Sequence, residues 1–463
     1  MARGKSRLGA LLAVSIALGQ SSPAQAIPAF ARKYGTSCQT CHVVYPKLTP
    51  FGEAFRHNGY RFPGVDSDFI KQEPVALGQD ANKKTFPHTV WPASIPNSVP
   101  LAFGANGQAI IHPDKNSGGA RADNGTIFTL NDLVAEAHVF AGGTIDDRIA
   151  YWAEVTYGTD GGLSVEHAEV IVSDLLGPKH ALNLWVGRGF TTLTPFGPHS
   201  SYVADLYLPA LPVTQLFGAT SSSWNLVDNY NLVELNGVLL GRLEYSVGVN
   251  AGANLDIRPT ENVYGHLGLK LGGQWLDGEG GPPPNAARPW EETALTLYAF
   301  AYHSNSRFSF VNADTAETEA RQDTAATFGG GLRGQWRSLE LNAGFWWEKH
   351  NHANTDQSEV RAWSTFGELS YVVYPWLVPS VRVEYTNLQP EGAGTVTDLR
   401  LIPGIAALVR PDLRITLVGL IERAGGAPPG GWGPAGGSAL PPDPGSVVST
   451  ELEALTLGLA WAF

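Results

Sequence analysis

The chain has 463 residues, 43 of them acidic against 31 basic, and a net charge of −12. That balance excludes nucleic acid as the expected partner. The two cysteines leave no second pair from which a four-ligand zinc site would be built.

Residues 1–26 read as a secretory signal peptide. Arg3, Lys5 and Arg7 form its positive region and Leu8 to Leu18 its short apolar run. Ala24-Gln25-Ala26 is a small-x-small cleavage site, so the mature chain is expected to start at Ile27. A membrane anchor would need about 20 apolar residues. Removal of the signal takes away three positive charges and leaves a still more acidic protein.

The second segment, 27–100, contains Cys38-Gln39-Thr40-Cys41-His42. This Cys-x-x-Cys-His pattern is the attachment site of a c-type haem. Each thiol adds to one haem vinyl group, and the next residue, His42, supplies the proximal imidazole to the iron. A redox dithiol is the competing reading, but it normally sits in a thioredoxin-like βαβ context, which is missing here. One covalent haem c per chain is expected, on Cys38 and Cys41 with His42 as iron ligand. It uses both cysteines, so no disulfide remains to be formed. Export agrees with it, because c-type haem is attached outside the bacterial cytoplasm.

Thr49 to Phe55 reads as a short helix with Pro50 at its first position, Phe51 and Phe55 sharing a face. Tyr34, Tyr45, Tyr60 and Phe62 add rings nearby, and Arg56 and Arg61 are candidates for haem propionates or plain surface residues. Only about 35 residues look ordered around the haem, too few to enclose it unaided. The only methionine is Met1, which leaves with the signal, so a His/Met iron pair is excluded in the mature protein. The distal candidates are His57, a histidine elsewhere in the chain, a lysine, the new N-terminal amine and water. His57 also reads as a helix-end residue capping carbonyls.

From 101 to 463 the texture changes to frequent glycine and aromatics with runs that alternate in polarity. In the last run Leu455, Leu457, Leu459, Trp461 and Phe463 share one face, and Thr456, Gly458, Ala460 and Ala462 the other. At 264–274, Leu267, Leu269 and Leu271 read outward and His266, Lys270 and Gln274 inward. At 339–348, Leu339, Leu341, Ala343, Phe345 and Trp347 oppose Glu340, Asn342 and Glu348. That period fits strands with one face in lipid and one facing a lumen. Candidate strands are 102–111, 131–141, 149–157, 165–173, 181–188, 232–240, 243–253, 263–275, 293–303, 325–336, 339–348, 362–373, 379–387, 397–408, 412–422 and 452–463. The expected fold is all-β: a transmembrane antiparallel barrel of about 16 strands, an even number, with the N-terminal c-type haem segment as a plug. A membrane role without a spanning helix requires such a barrel, and the expected location is the bacterial outer membrane, with its lipid as partner. The Gly/Pro-rich stretches 277–289 and 424–447 read as long loops. Lumen-facing Glu136, His138, Glu154, His167 and Glu169 are candidates for binding metal cations or holding water.

With both halves read, the chain resembles the fused monohaem cytochrome–porins of the outer membrane known from iron-oxidising bacteria. The matching residues are Ala31-Arg32-Lys33-Tyr34, Cys38 to His42, Pro46-Lys47-Leu48, Phe51-Gly52, Phe55-Arg56 and Gly59-Tyr60-Arg61. The resemblance implies a haem-bearing plug inside a barrel, with electrons passing between extracellular Fe(II) and a periplasmic electron carrier. A solute porin with a haem-bearing plug or sensor segment is the alternative, and a peroxidase-like haem enzyme a weaker third.

Overall fold

The computed structural model describes residues 29–63, 70–71, 75–76, 80–85, 94–95, 97, 101–112, 127–129, 135–145, 148–158, 161–190, 229–251, 262–283, 285–311, 318–351, 359–391, 394–425 and 451–462. The signal-peptide reading of 1–26 and the terminal Phe463 lie outside these residues.

The described part of 27–100 is built from short elements: α1 (Ala29–Tyr34), α2 (Cys38–Cys41), β1 (His42–Val44), β2 (Lys47–Leu48), α3 (Pro50–His57), β3 (Val75–Ala76), α4 (Asp80–Thr85) and β4 (Ser94–Ile95). Thr49 explains where α3 starts. Its hydroxyl accepts the Gly52 N–H at 3.1 Å, and Pro50 follows where a helix has no use for an N–H. Pairing of β1 with β2 and of β3 with β4 makes two separate two-stranded sheets.

The remainder is a ring of antiparallel strands: β5 (Leu101–His112), β6 (Ile127–Thr129), β7 (Glu136–Thr144), β8 (Ile149–Gly158), β9 (Leu163–Val172), β10 (Asn183–Phe190), β11 (Asn229–Leu239), β12 (Leu243–Asn250), β13 (Asn262–Gly272), β14 (Glu292–Val311), β15 (Thr318–Arg337), β16 (Leu339–His350), β17 (Val360–Tyr371), β18 (Leu377–Pro390), β19 (Val396–Arg410), β20 (Leu413–Gly425) and β21 (Glu451–Ala462). Each pairs with its neighbour in sequence, and β21 pairs with β5 to close the ring. The short β6 takes the far end of β5 through Ile110↔Thr129, while β7 takes its near end through Leu101↔Ala141. The two act as one stave, which gives a closed barrel of sixteen. Each of the sixteen expected runs overlaps a strand of the wall, with 131–134 and 252–253 outside the described residues. The largest differences are β14 and β15, each 20 residues long, whose pairing continues to Val311↔Thr318, past the apolar rows that mark the lipid-facing part.

Faces follow the period of two. Leu267, Leu269 and Leu271 are exposed, and so are Leu341, Phe345, Leu457, Leu459 and Trp461, while Glu340, Asn342, Glu348, Lys270 and Thr456 are buried. No helix among the described residues is long and apolar enough to cross a membrane. A closed wall leaves no unpaired edge, and its apolar outer face and polar inner face suit lipid outside and water inside. The protein is a β-barrel of the bacterial outer membrane. Leu267 stands at the middle of β13 and is 55% exposed. Leu267→Arg is expected to destabilise the barrel by about 2–4 kcal/mol, read as a lower unfolding free energy in vesicles. A change below a few tenths would show that this face does not meet lipid.

The β7–β8, β11–β12 and β15–β16 connections are short, and they share one end with the 277–289 stretch. That stretch is a series of tight turns such as Gly278 N–H to Trp275 O at 2.9 Å. Short turns mark the periplasmic end. At the other end, most of 424–447 lies outside the described residues, β20 having run on to Gly425.

The N-terminal segment enters the periplasmic end and touches the wall all round. Val43 and Val44 are buried against Val372, Val378, Ala406 and Leu408. Lys33 Nζ donates to Thr144 Oγ1 at 3.0 Å, Asn58 Nδ2 to Asp277 O at 3.0 Å and Gln39 Nε2 to Pro375 O at 3.3 Å. Arg414 donates to Tyr45 O from β20, and Arg32 to Leu101 O at the start of β5. The Lys47 ammonium, 0% exposed, pairs with Glu340 of β16. Arg333 of β15 joins the same carboxylate at 3.0 Å and also pairs with Glu53 of α3.

Candidate functional site

The site begins with one helical turn. Ser37 Oγ accepts the Gln39 N–H at 3.2 Å and starts α2, and Cys38 and Cys41, three apart, fall on one side of it. Both are free cysteines, partly exposed. Burial pushes the Cys41 thiol up to about 12, and burial followed by Asp412 raises Cys38.

His42 leaves the turn in extended conformation, with φ −123° and ψ 135°. Its Nδ1 lies 3.2 Å from the Pro46 carbonyl, and a donated hydrogen bond there fixes the tautomer and leaves Nε2 as the nitrogen for a metal. Burial is the largest influence on the imidazole and brings it down to about 4, so it is neutral, the form that ligates iron.

The turn is clamped by α3. Thr49 N–H donates to Cys41 O at 2.9 Å, and Thr49 Oγ1 to Thr40 O at 2.8 Å. A Cβ on Gly52 would collide with the Cys41 carbonyl, so only glycine lets α3 cross this closely. Tyr34, Phe51, Phe55 and Phe62 form a buried cluster, and Cys41 packs against its edge with Phe30, Tyr60 and Ile70. Tyr34 and Phe62 stack at 3.9 Å, and Phe51 meets Phe62 edge-on at 5.0 Å. Two thiols on one turn, an imidazole with its outer nitrogen oriented, and an aromatic surround are a donor set that fits a covalent haem c.

The other candidates are distributed over the wall. His57 ends α3 with Nε2 3.2 Å from Glu244 Oε2 of β12, a carboxylate that also lies 3.7 Å from His266 Nε2. The Arg56 guanidinium lies 5.8 Å over the Trp185 ring, and Arg61 Nη1 donates to Gly59 O at 3.1 Å. The lumen acids and histidines are brought together as a chain. His138 Nε2 lies 3.6 Å from Glu136 and its Nδ1 3.0 Å from Glu154, while His167 lies 3.7 Å from Glu154 and 3.2 Å from Glu169. They line up rather than converge. Among the described residues no group of three or more such side chains could hold a metal ion.

Sequence reasoning missed the rings on the inner wall. Tyr230, Tyr264, Phe300, Tyr302, Trp346 and Phe366 form one buried cluster. Their signal is a glycine opposite a ring: a Cβ on Gly248 would strike Tyr264, and one on Gly329 would strike Phe300.

A fold of this kind is that of outer-membrane porins. The structure is similar to OmpT of Vibrio cholerae, in vitro folded and described in a trimer form, with a TM-score of 0.51 and 11% identity over 78% of this chain and 99% of that one. It is equally similar to an anion-selective porin from Comamonas acidovorans, with a TM-score of 0.51 and 11% identity over the same shares of the two chains. No protein-family profile matches the sequence, and no curated protein does.

Proposed function

We propose that this barrel is an electron conduit of the outer membrane, passing single electrons between an extracellular donor and a periplasmic carrier through one haem c. The observation that carries this reading is the His42 ring, oriented by the Pro46 carbonyl at the end of a Cys-x-x-Cys turn and held within a barrel mouth. When bound, the haem supplies a reversible one-electron couple at its iron. Cys38 and Cys41 would tether it and His42 Nε2 would ligate it. Phe51, Phe55, Phe62 and Tyr34 would exclude water from its edge. The acidic lumen attracts cations, and hydrated Fe(II) fits that sign as donor. A distal role for His57 requires its pair with Glu244 to open. A low-spin signal that survives His57→Ala assigns the sixth ligand elsewhere, with His138, His167 and His266 next.

A second reading, a solute porin whose haem segment is a plug or sensor, is favoured by the porin fold itself. One of the similar structures is described as anion-selective. The two readings separate in one experiment on the purified full chain. Electron conduction expects Fe(II) to reduce the haem and liposomes to resist swelling by sugars and anions. Swelling with no reduction by Fe(II) would reject conduction and leave the porin. Hydrogen peroxide turnover would point to the enzyme instead.

A further inference from the structure

The geometry points to a specific electron route on the inner wall, running from the Cys41 cluster through Tyr60, Trp152 and Phe140 to the lumen water beside His138. It rests on the electron-conduit reading and says where in the barrel the electron travels.

The rings form an unbroken series. Phe55, in the cluster that Cys41 packs against, lies 5.2 Å from Phe30 and 5.9 Å from Tyr60. Phe30 and Tyr60 stack at 5.2 Å, and each lies 6.0 Å from the Trp152 ring of β8. Trp152 stacks on Phe140 of β7 at 5.7 Å, and Phe140 on His138 at 5.6 Å. His138 then meets Glu136, whose carboxylate is half exposed, and Glu154. All these spacings lie in the range of direct aromatic contact.

Two independent features hold this series in place. Gly142, beside Trp152 on β7, has no room for a Cβ, which would come within 2.6 Å of the Trp152 ring and 2.9 Å of Phe30. A side chain there would part the plug ring from the wall ring. Tyr60 is itself in the left-handed region at φ +58°, directly after Gly59 at φ +62°. A bulky residue pays for that conformation only when its surroundings hold it there. Here the reversal after α3 sets the Tyr60 ring between Phe55 of that helix, at 5.9 Å, and Trp152 of the wall, at 6.0 Å. The route through Trp152 joins the haem segment to the charged lumen, and its open end carries the carboxylates that draw a cationic donor.

The transfer balances simply. A hydrated ferrous ion in the lumen loses one electron and becomes ferric. A haem tethered by Cys38 and Cys41, with His42 on its iron, would supply the acceptor for that electron as a one-electron ferric/ferrous couple. No bond or proton moves, and the rings serve as the packed medium between the two.

The test uses the full-length haem-loaded protein in liposomes of known sidedness, with Fe(II) added to the loop side. Haem reduction is followed by stopped-flow absorbance, and the midpoint potential is titrated in parallel. Trp152→Leu is expected to slow reduction about tenfold or more with the potential unchanged, and Trp152→Phe, which keeps a ring, to restore most of the rate. Trp363→Leu, on the outer face, is the control and keeps the wild-type rate. A Trp152→Leu rate equal to wild type overturns the route. So does a slowing matched by a shifted potential, because Trp152 would then be seating the plug. A wild-type chain whose haem Fe(II) does not reduce overturns the conduit reading instead.

Discussion

Replacing Glu340 with alanine should open the barrel. Glu340 is the shared partner of the Lys47 ammonium and the Arg333 guanidinium, all three buried between plug and wall. Asn342 Nδ2 and Gln335 Nε2 also donate to it, at 2.9 and 3.3 Å. Without that carboxylate Lys47 loses its ion pair with β16, and Glu53, which faces both cations, is left to balance Lys47 and Arg333. Removing one partner of a buried ion pair costs about 3–5 kcal/mol, because the other charge is left uncompensated. The barrel strands have their own ladders, so the penalty falls on plug docking. The expected result in a planar bilayer is frequent large ionic openings in Glu340→Ala and few in the wild type. Glu340→Gln should lie between, since it keeps the hydrogen bonds and loses the charge. Equal conductance in all three would mean that the segment does not occlude the channel.

The second large effect concerns haem loading. The wild type is expected to carry one covalent haem per chain by the pyridine haemochrome assay. Cys38→Ala with Cys41→Ala should carry none, and Cys41→Ser at most a weakened single attachment. His42→Ala should keep the thioethers but lose the iron's inner ligand, which moves the spectrum and potential together. Circular dichroism of all these variants should stay dominated by strand. A wild-type stoichiometry clearly different from one, or a methionine–iron charge-transfer band in the oxidised spectrum, would contradict the assignment.

How legible these features were in the sequence depends on their range. Strand faces were legible because side-chain direction alternates strictly. Leu267, Leu269 and Leu271 against His266 and Lys270 needed nothing beyond that period. The cap at Thr49 and the Pro50 start were equally local. The seating of the plug was not. Lys47 and Glu340 are 293 residues apart and Arg414 and Tyr45 369, and nothing near either member of a pair names the other. His57 shows the same limit. Local reading offered it an iron or a helix end, and its partner Glu244, 3.2 Å away on the wall, lies far along the chain. The lumen acids and histidines were read strand by strand, and only the register of β7, β8 and β9 shows that they form a line.

The join between β5 and β21 sets an order of events. These strands are neighbours in space and the most distant staves in the chain. The wall therefore cannot seal until its last strand has been delivered, and pairings this remote form late. Several anchors of the plug also come from late chain, from Arg333, Glu340 and Arg414. The cysteine turn is thus complete as a peptide well before its seat exists. The attachment proposed for Cys38 and Cys41 would then have an interval in which the segment is reachable from the periplasm, before the closing wall encloses the turn. With the proposed haem, a loaded segment and an empty one would present different surfaces to the closing strands, and its delivery would then be timed against barrel closure.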